Sequence, residues 1–214
     1  MPTQFQVSEE SLGHHYSVVM TDDQGGEHHF YIENAPGVSE KADLTFYDGD
    51  DCTGPLIGLS KFPRVTKNCK VRLVDELSTE DWVPVRKKGF MTTKYTFRIP
   101  AGHTQGLFTW KKTRSMGRGS SLYGNMKLVN EQSHDVLAVF SSDPFSIVTG
   151  QLDMYQDHGD SFDRWALITG MAVREKQRRH TIDAVRSKDS VYTVGAMGGL
   201  GMGGMGAMGG GGGC

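Results

Sequence analysis

Between His14 and Gln156 short apolar runs alternate with clusters of turn formers. In KYTFRI, Tyr95, Phe97 and Ile99 alternate with Lys94, Thr96 and Arg98, the period of two that half-buries a strand. HYSVVMT, EHHFYIE, DLTFYD, PLIGLSKF, KVRLVD, WVPVRK, LFTWKKT, LYGNMKLV, VLAVFSS and SIVTGQLDMYQ read as strands on similar grounds. DGDDCTG, between Tyr47 and Pro55, is a loop of turn formers, and NEQSHD, between Val129 and Val136, fits a hairpin. Eleven such segments with mostly short connections predict a closed barrel or a sandwich, since both limit exposed edges.

One stretch breaks that rhythm. In DSFDRWALITGMAVREKQRRH, Trp165 to Val173 carry no charge, and Arg174, Lys176, Arg178 and Arg179 follow at once. The apolar residues point in every helical direction, which marks a helix buried all round. Such a segment spans about 13–14 Å against roughly 30 Å of hydrocarbon, so it is not a transmembrane helix. Ser161 is a candidate N-cap, Asp163 falls in the first turn and the bases crowd the last turn, complementing the helix dipole. Arriving after many strands, the helix is expected inside or against the barrel, with Trp165, Leu167, Ile168, Met171 and Val173 as core residues. Gly170 would let a wall residue approach closely, at about 1 kcal/mol of helix propensity. The basic run would then mark the point where the helix leaves the barrel.

Composition sets the boundaries. A chain of 214 residues, 37% hydrophobic and 22% charged, suits one domain with a sizeable core. The last twenty residues hold twelve of the 28 glycines and four of the 11 methionines, too little burial to offset backbone entropy. The expected division is an N-terminal arm (1–11), a barrel with its helix (12–182, helix 161–180) and a disordered Gly/Met-rich tail (183–214). Charge is uneven: residues 1–60 hold eleven acids and one base, a net of −10, and the remainder a net of +8. Either the halves neutralise each other by packing together or the basic half meets an anionic partner. Cys52, Cys69 and Cys214 show no CxxC spacing, and MPTQFQVSEES has no basic or apolar leader region, which suggests a reducing, cytoplasmic setting. Cys214 does not fit the CaaX pattern.

Candidate chemistry is thin. His14-His15 and His28-His29 are neighbours on strands, so each pair presents one ligand to any one face, and no cysteine or acidic cluster completes a metal spacing. Ser133, His134 and Asp135 hold the triad residue types, but consecutive residues in a turn cannot adopt triad geometry. Gly199, Gly201 and Gly204 match GxGxxG without the helix that must follow. Asp48, Asp50 and Asp51 lack the EF-hand ligand order. No cofactor, metal or catalytic residue is assigned. The bases are more informative: Lys87, Lys88, Lys94 and Arg98 form one group, and Lys111, Lys112, Arg114 and Arg118 a second. Alternation would place Lys112 and Arg114 on one face. Such a group holds phosphate by charge-assisted hydrogen bonds, and nucleic acid is disfavoured because no RNP, HTH or zinc signature accompanies it.

GLFTWKKTRS (106–115), LYGNMKLVNEQSHDVLAVFSS (122–142) and WALITGMAVREKQRR (165–179), in that order, resemble the tubby C-terminal-like group, which includes LURP-one-related proteins and phospholipid scramblases. The likeness covers about residues 12–182 and is nearest to fungal members. It implies a mainly β fold, a closed antiparallel barrel of about twelve strands around one central hydrophobic C-terminal helix. It also implies a non-enzymatic role, binding a membrane phospholipid of phosphoinositide type or a protein partner, peripherally to membranes. Lys111, Lys112, Arg114 and Arg118 are the expected anion-binding residues. The headgroup-binding lysine and arginine of tubby itself have no residue-by-residue counterpart here. The alternatives are a structural or adaptor protein that self-associates through its tail, or a small-ligand carrier or enzyme with a barrel cavity.

Overall fold

The computed structural model describes residues 3–10, 15–22, 24–35, 41–63, 66–74, 82–89, 94–99, 105–113, 125–142 and 150–198. Twelve strands precede one helix: β1 (Gln4–Glu9), β2 (Tyr16–Thr21), β3 (Glu27–Asn34), β4 (Leu44–Asp48), β5 (Leu56–Lys61), β6 (Cys69–Leu73), β7 (Val83–Lys88), β8 (Lys94–Ile99), β9 (Gly106–Lys112), β10 (Met126–Asn130), β11 (Val136–Ser142), β12 (Gly150–Met154) and α1 (Asp160–Gly198). Each strand pairs antiparallel with the next in the chain, and β12 pairs with β1 to close the barrel. The expected closed antiparallel barrel is therefore the fold.

All eleven expected strands are present, and β1 is the twelfth. The expected N-terminal arm is a correction: Phe5 and Val7 are buried between exposed Gln4, Gln6 and Ser8, and β1 seals the gap between β12 and β2. Closure itself is the physical reason, because both flanking strands would otherwise expose an unpaired edge.

The barrel interior is filled by α1. Every residue from Trp165 to Glu175 is buried, with Leu167, Ile168 and Val173 at 0% exposure. Its side chains reach walls all around: Phe162 meets Phe108 of β9 at 5.5 Å between ring centroids, and the Arg174 guanidinium lies 4.9 Å from the Phe140 ring of β11. Two glycines permit that fit. A Cβ on Gly170 would stand 3.1 Å from Trp110 Cζ2, and a Cβ on Gly58 in β5 would stand 2.3 Å from Ile168 Cδ1. The helix lends space to the wall at Gly170 and takes it back at Gly58. Trp110 is fixed further, since its indole N–H donates to Thr169 Oγ1 (2.9 Å), whose hydroxyl donates to the Trp165 carbonyl (2.7 Å).

Three details of the helix differ from expectation. Gly159, at φ 83°, occupies the N-cap position in place of Ser161; its carbonyl accepts from the Asp163 N–H at 3.2 Å. The bases do not form a last turn, because α1 continues to Gly198 through a proline-free sequence. Part of the expected tail, 183–198, is therefore helical, and 199–214 lie outside the described residues. Nor does the basic run begin at an exit: Arg174 and Glu175 are buried at 6% and 1% exposure. The chain divides into two units, Met1–Gln177 and Arg178–Cys214.

Candidate functional site: a lysine row on the outer wall

Strand alternation fixes which bases face outward. On β9, Phe108 and Trp110 point into the core, so Thr109 and Lys111 point out, and Lys112 follows Trp110 on the inner face at the strand end, where it is exposed. Lys111 and Lys112 therefore do not share a surface. Lys111 instead meets residues from neighbouring strands: Lys94 on β8 and Lys127 on β10 stand directly opposite it, and Lys88 on β7 stands opposite Lys94. The four lysines form one row across four adjacent strands, about 14 Å long at the usual inter-strand spacing of about 4.8 Å. Arg114 and Arg118 lie outside the described residues.

The surroundings sharpen the row. Strands β5 to β10 contain eleven lysines and arginines and no acid, whereas β1 to β4 contain four acids and no lysine or arginine. Lys94, Lys111 and Lys127 make no ion pair among the described residues. Like charges directly opposite on a sheet are destabilising, by roughly a few tenths of a kcal/mol per pair at exposed positions. Burial, and then the Lys67 charge, hold Lys87 below the usual lysine pKa. Two positions along the same strands, on the same face as Lys94 and Lys111, Thr96 and Thr109 are buried, and their hydroxyls are hydrogen bonded at 3.1 Å.

Other candidates separate cleanly. His28 and His29 point to opposite faces, His29 Nδ1 lying 2.8 Å from Asp50 Oδ1 and His28 Nδ1 4.0 Å from Asp48 Oδ1. His15 Nδ1 accepts from the Asn34 N–H (3.1 Å), and His14 lies outside the described residues. Among the described residues no group of three or more His, Cys, Asp or Glu has a metal-holding arrangement. Ser133, His134 and Asp135 are exposed in the β10–β11 turn, where His134 adopts φ 65°. Asp51 Oδ1 caps the DGDDCTG loop, accepting the Thr53 N–H at 2.8 Å and the Thr53 hydroxyl at 2.6 Å, and these bonds lower its pKa. The GxGxxG match lies outside the described residues.

A groove of about 290 Å³ runs along the outside of β3 to β5, lined by Glu33, Lys41, Tyr47, Leu59, Lys61 and Trp82 among others.

Sequence reasoning missed the buried polar groups that close the barrel around α1. Glu175 accepts from the Tyr16 hydroxyl (2.7 Å) and from Asn34 Nδ2 (3.3 Å), tying the helix to β2 and β3. The available signal was the lone acid in VREKQRR, directly after the apolar run. On other walls, burial pushes the Cys69 thiol up to about 12 against the opposing pull of Lys176, so Cys69 is an inert core residue.

Fold and surface together define a class: a twelve-stranded up-and-down barrel filled by its own helix, with a basic wall on one side. No protein-family model, curated protein or solved structure matches the chain.

Proposed function

We propose that this chain is a non-enzymatic, tubby-like binding domain that docks its basic wall on the anionic phospholipids of a cytoplasmic membrane surface, phosphoinositides among them. The observation that carries this reading is the row Lys88, Lys94, Lys111 and Lys127 among six strands, β5 to β10, whose own residues include eleven bases and no acid. Lysines held side by side at a repulsive cost are relieved by a surface that brings phosphates to all of them at once. Helix side chains packed through the interior support a binding role over a catalytic one, because an enclosed pocket needs roughly 300 Å³ or more. Docking requires no spanning segment, and among the described residues no helix is long and apolar enough to cross a membrane.

Co-sedimentation with vesicles tests the proposal. Vesicles carrying phosphoinositide or phosphatidylserine should retain the protein, and neutral phosphatidylcholine vesicles should not. Each base near an anionic surface contributes about 1 kcal/mol, so replacing Lys94, Lys111 and Lys127 by Gln should weaken retention about a hundredfold. Retention that is absent at low salt, or unchanged in the triple variant, removes the lipid reading and leaves a protein partner for the wall.

A further inference from the structure

In an up-and-down barrel, position along the chain becomes position around the wall. The acidic strands β1 to β4 centre between β2 and β3, and the basic strands β5 to β10 centre between β7 and β8. Five of twelve strand positions separate those centres, about 150° of the circumference. Residues 1–60 carry a net of −10, while residues 61–127 hold fifteen bases and four acids, a net of +11, with all four acids between β6 and β7. The centres of the two sectors therefore face away from each other, and the sectors adjoin at the β4–β5 border, where Lys61 lines the same groove as Glu33.

The acidic sector also has the makings of a contact surface. Along the outer face of β3, Glu27, His29, Tyr31 and Glu33 follow one another, and Tyr47 of β4 stands opposite Tyr31 with ring centroids 6.3 Å apart. Two adjacent tyrosines bracketed by carboxylates suit lysine, whose stem packs on the rings while its ammonium meets the acids. Tyrosine is also enriched where proteins meet.

We propose that the chain self-associates head to tail, the lysine row of one copy seated on the Glu27–Tyr31–Glu33 and Tyr47 surface of the next. Faces about 150° apart cannot both meet the same partner, so the contact is heterologous and propagates as an open chain. The proposal rests on the charge sectors and not on lipid binding. It adds a consequence for that reading, because the assembly covers the lysine row and anionic vesicles must compete for it.

Sedimentation velocity of the full chain without lipid is the test. At about 10 mM salt, where the Debye length is about 30 Å, the sedimentation coefficient should rise with concentration, and at about 1 M, where it is about 3 Å, it should fall to the monomer value. Two folded charge-reversal variants, Lys94→Glu/Lys111→Glu/Lys127→Glu and Glu27→Lys/Glu33→Lys, should each be monomeric at low salt. Mixed in equal amounts they should associate again, since one then presents two acidic faces and the other two basic faces. A wild-type protein that is monomeric throughout, oligomers that survive both reversals, or a mixture that stays monomeric overturns the proposal. Vesicle co-sedimentation is read separately, at protein concentrations where sedimentation shows the monomer, so either proposal can fail alone.

Discussion

The tightest fit in the barrel lies between Gly58 and Ile168, and Gly58→Ala tests it directly. A Cβ at position 58 would stand 2.3 Å from Ile168 Cδ1, 3.1 Å from its Cγ1 and 3.3 Å from the Arg72 carbonyl oxygen. Carbon atoms rest about 3.5–4.0 Å apart, so Cδ1 must retreat by more than 1 Å in a close-packed interior. Overpacking of this kind costs about 1–3 kcal/mol, partly offset by the roughly 0.5–1 kcal/mol gained when a strand glycine becomes alanine. Ile168→Val removes Cδ1 and alone should cost about 0.5–1.5 kcal/mol. The double variant should then be less destabilised than the two single costs added, by about 1 kcal/mol. Urea unfolding followed by tryptophan fluorescence measures all three, since Trp110 and Trp165 are buried at 0% and 7% exposure. Costs that add within about 0.3–0.5 kcal/mol would show that Gly58 and Ile168 do not share space, and the reading of the wall as moulded to the helix would fail.

Three further outcomes follow from other contacts. Thr169→Val keeps the shape of the side chain but takes the acceptor from the Trp110 indole N–H, and should cost about 1–3 kcal/mol by the same assay. Asp163, buried near Asp157 and Asp160, has its pKa raised to about 6 from 3.8, chiefly by desolvation. The folded state thus favours the protonated form: the stabilisation is full below about pH 4 and is lost as pH rises through about 6, on the order of 2–3 kcal/mol. Asp163→Asn should flatten that slope and raise the melting temperature at pH 8, and a slope unchanged in the variant would assign it elsewhere. Lys111→Gln, finally, should raise the melting temperature in low salt by about 1–2 °C while weakening vesicle retention; the thermal gain should disappear in high salt.

The barrel was legible in the sequence because its two periods were clean. KYTFRI alternates without error, and WALITGMAV has no polar face to place outside, so wall and core helix follow from burial alone. What escaped was set by closure and by partners distant in sequence. QFQVSE alternates too, but with only two apolar residues its strand identity depends on the edges of β2 and β12. Glu175 reads as one more charge in a basic run until Tyr16 and Asn34, 159 and 141 residues away, supply its hydrogen bonds. The basic groups could be named from the sequence, yet Lys127 and Lys94 join Lys111 only through strand register, which composition does not encode.

The outer lysines are placed by contacts on the inside of the same strands. Lys94, Lys111 and Lys127 each adjoin an inward residue, Tyr95, Trp110 and Met126, and all three inward residues are held by α1. Trp110 donates to Thr169, the Gln177 side chain hydrogen bonds with Tyr95, and Gln177 Nε2 lies 3.6 Å from Met126 Sδ. Repulsion along the row tends to spread β8, β9 and β10, and the helix contacts on their inner faces oppose that spreading. An empty barrel of the same sequence order would carry the same charges but could relax them apart by shifting register or opening an edge. Helix α1 therefore bears on the surface chemistry from the inside: through Thr169 and Gln177 it anchors the three strands that carry Lys94, Lys111 and Lys127, while their spacing follows from strand pairing.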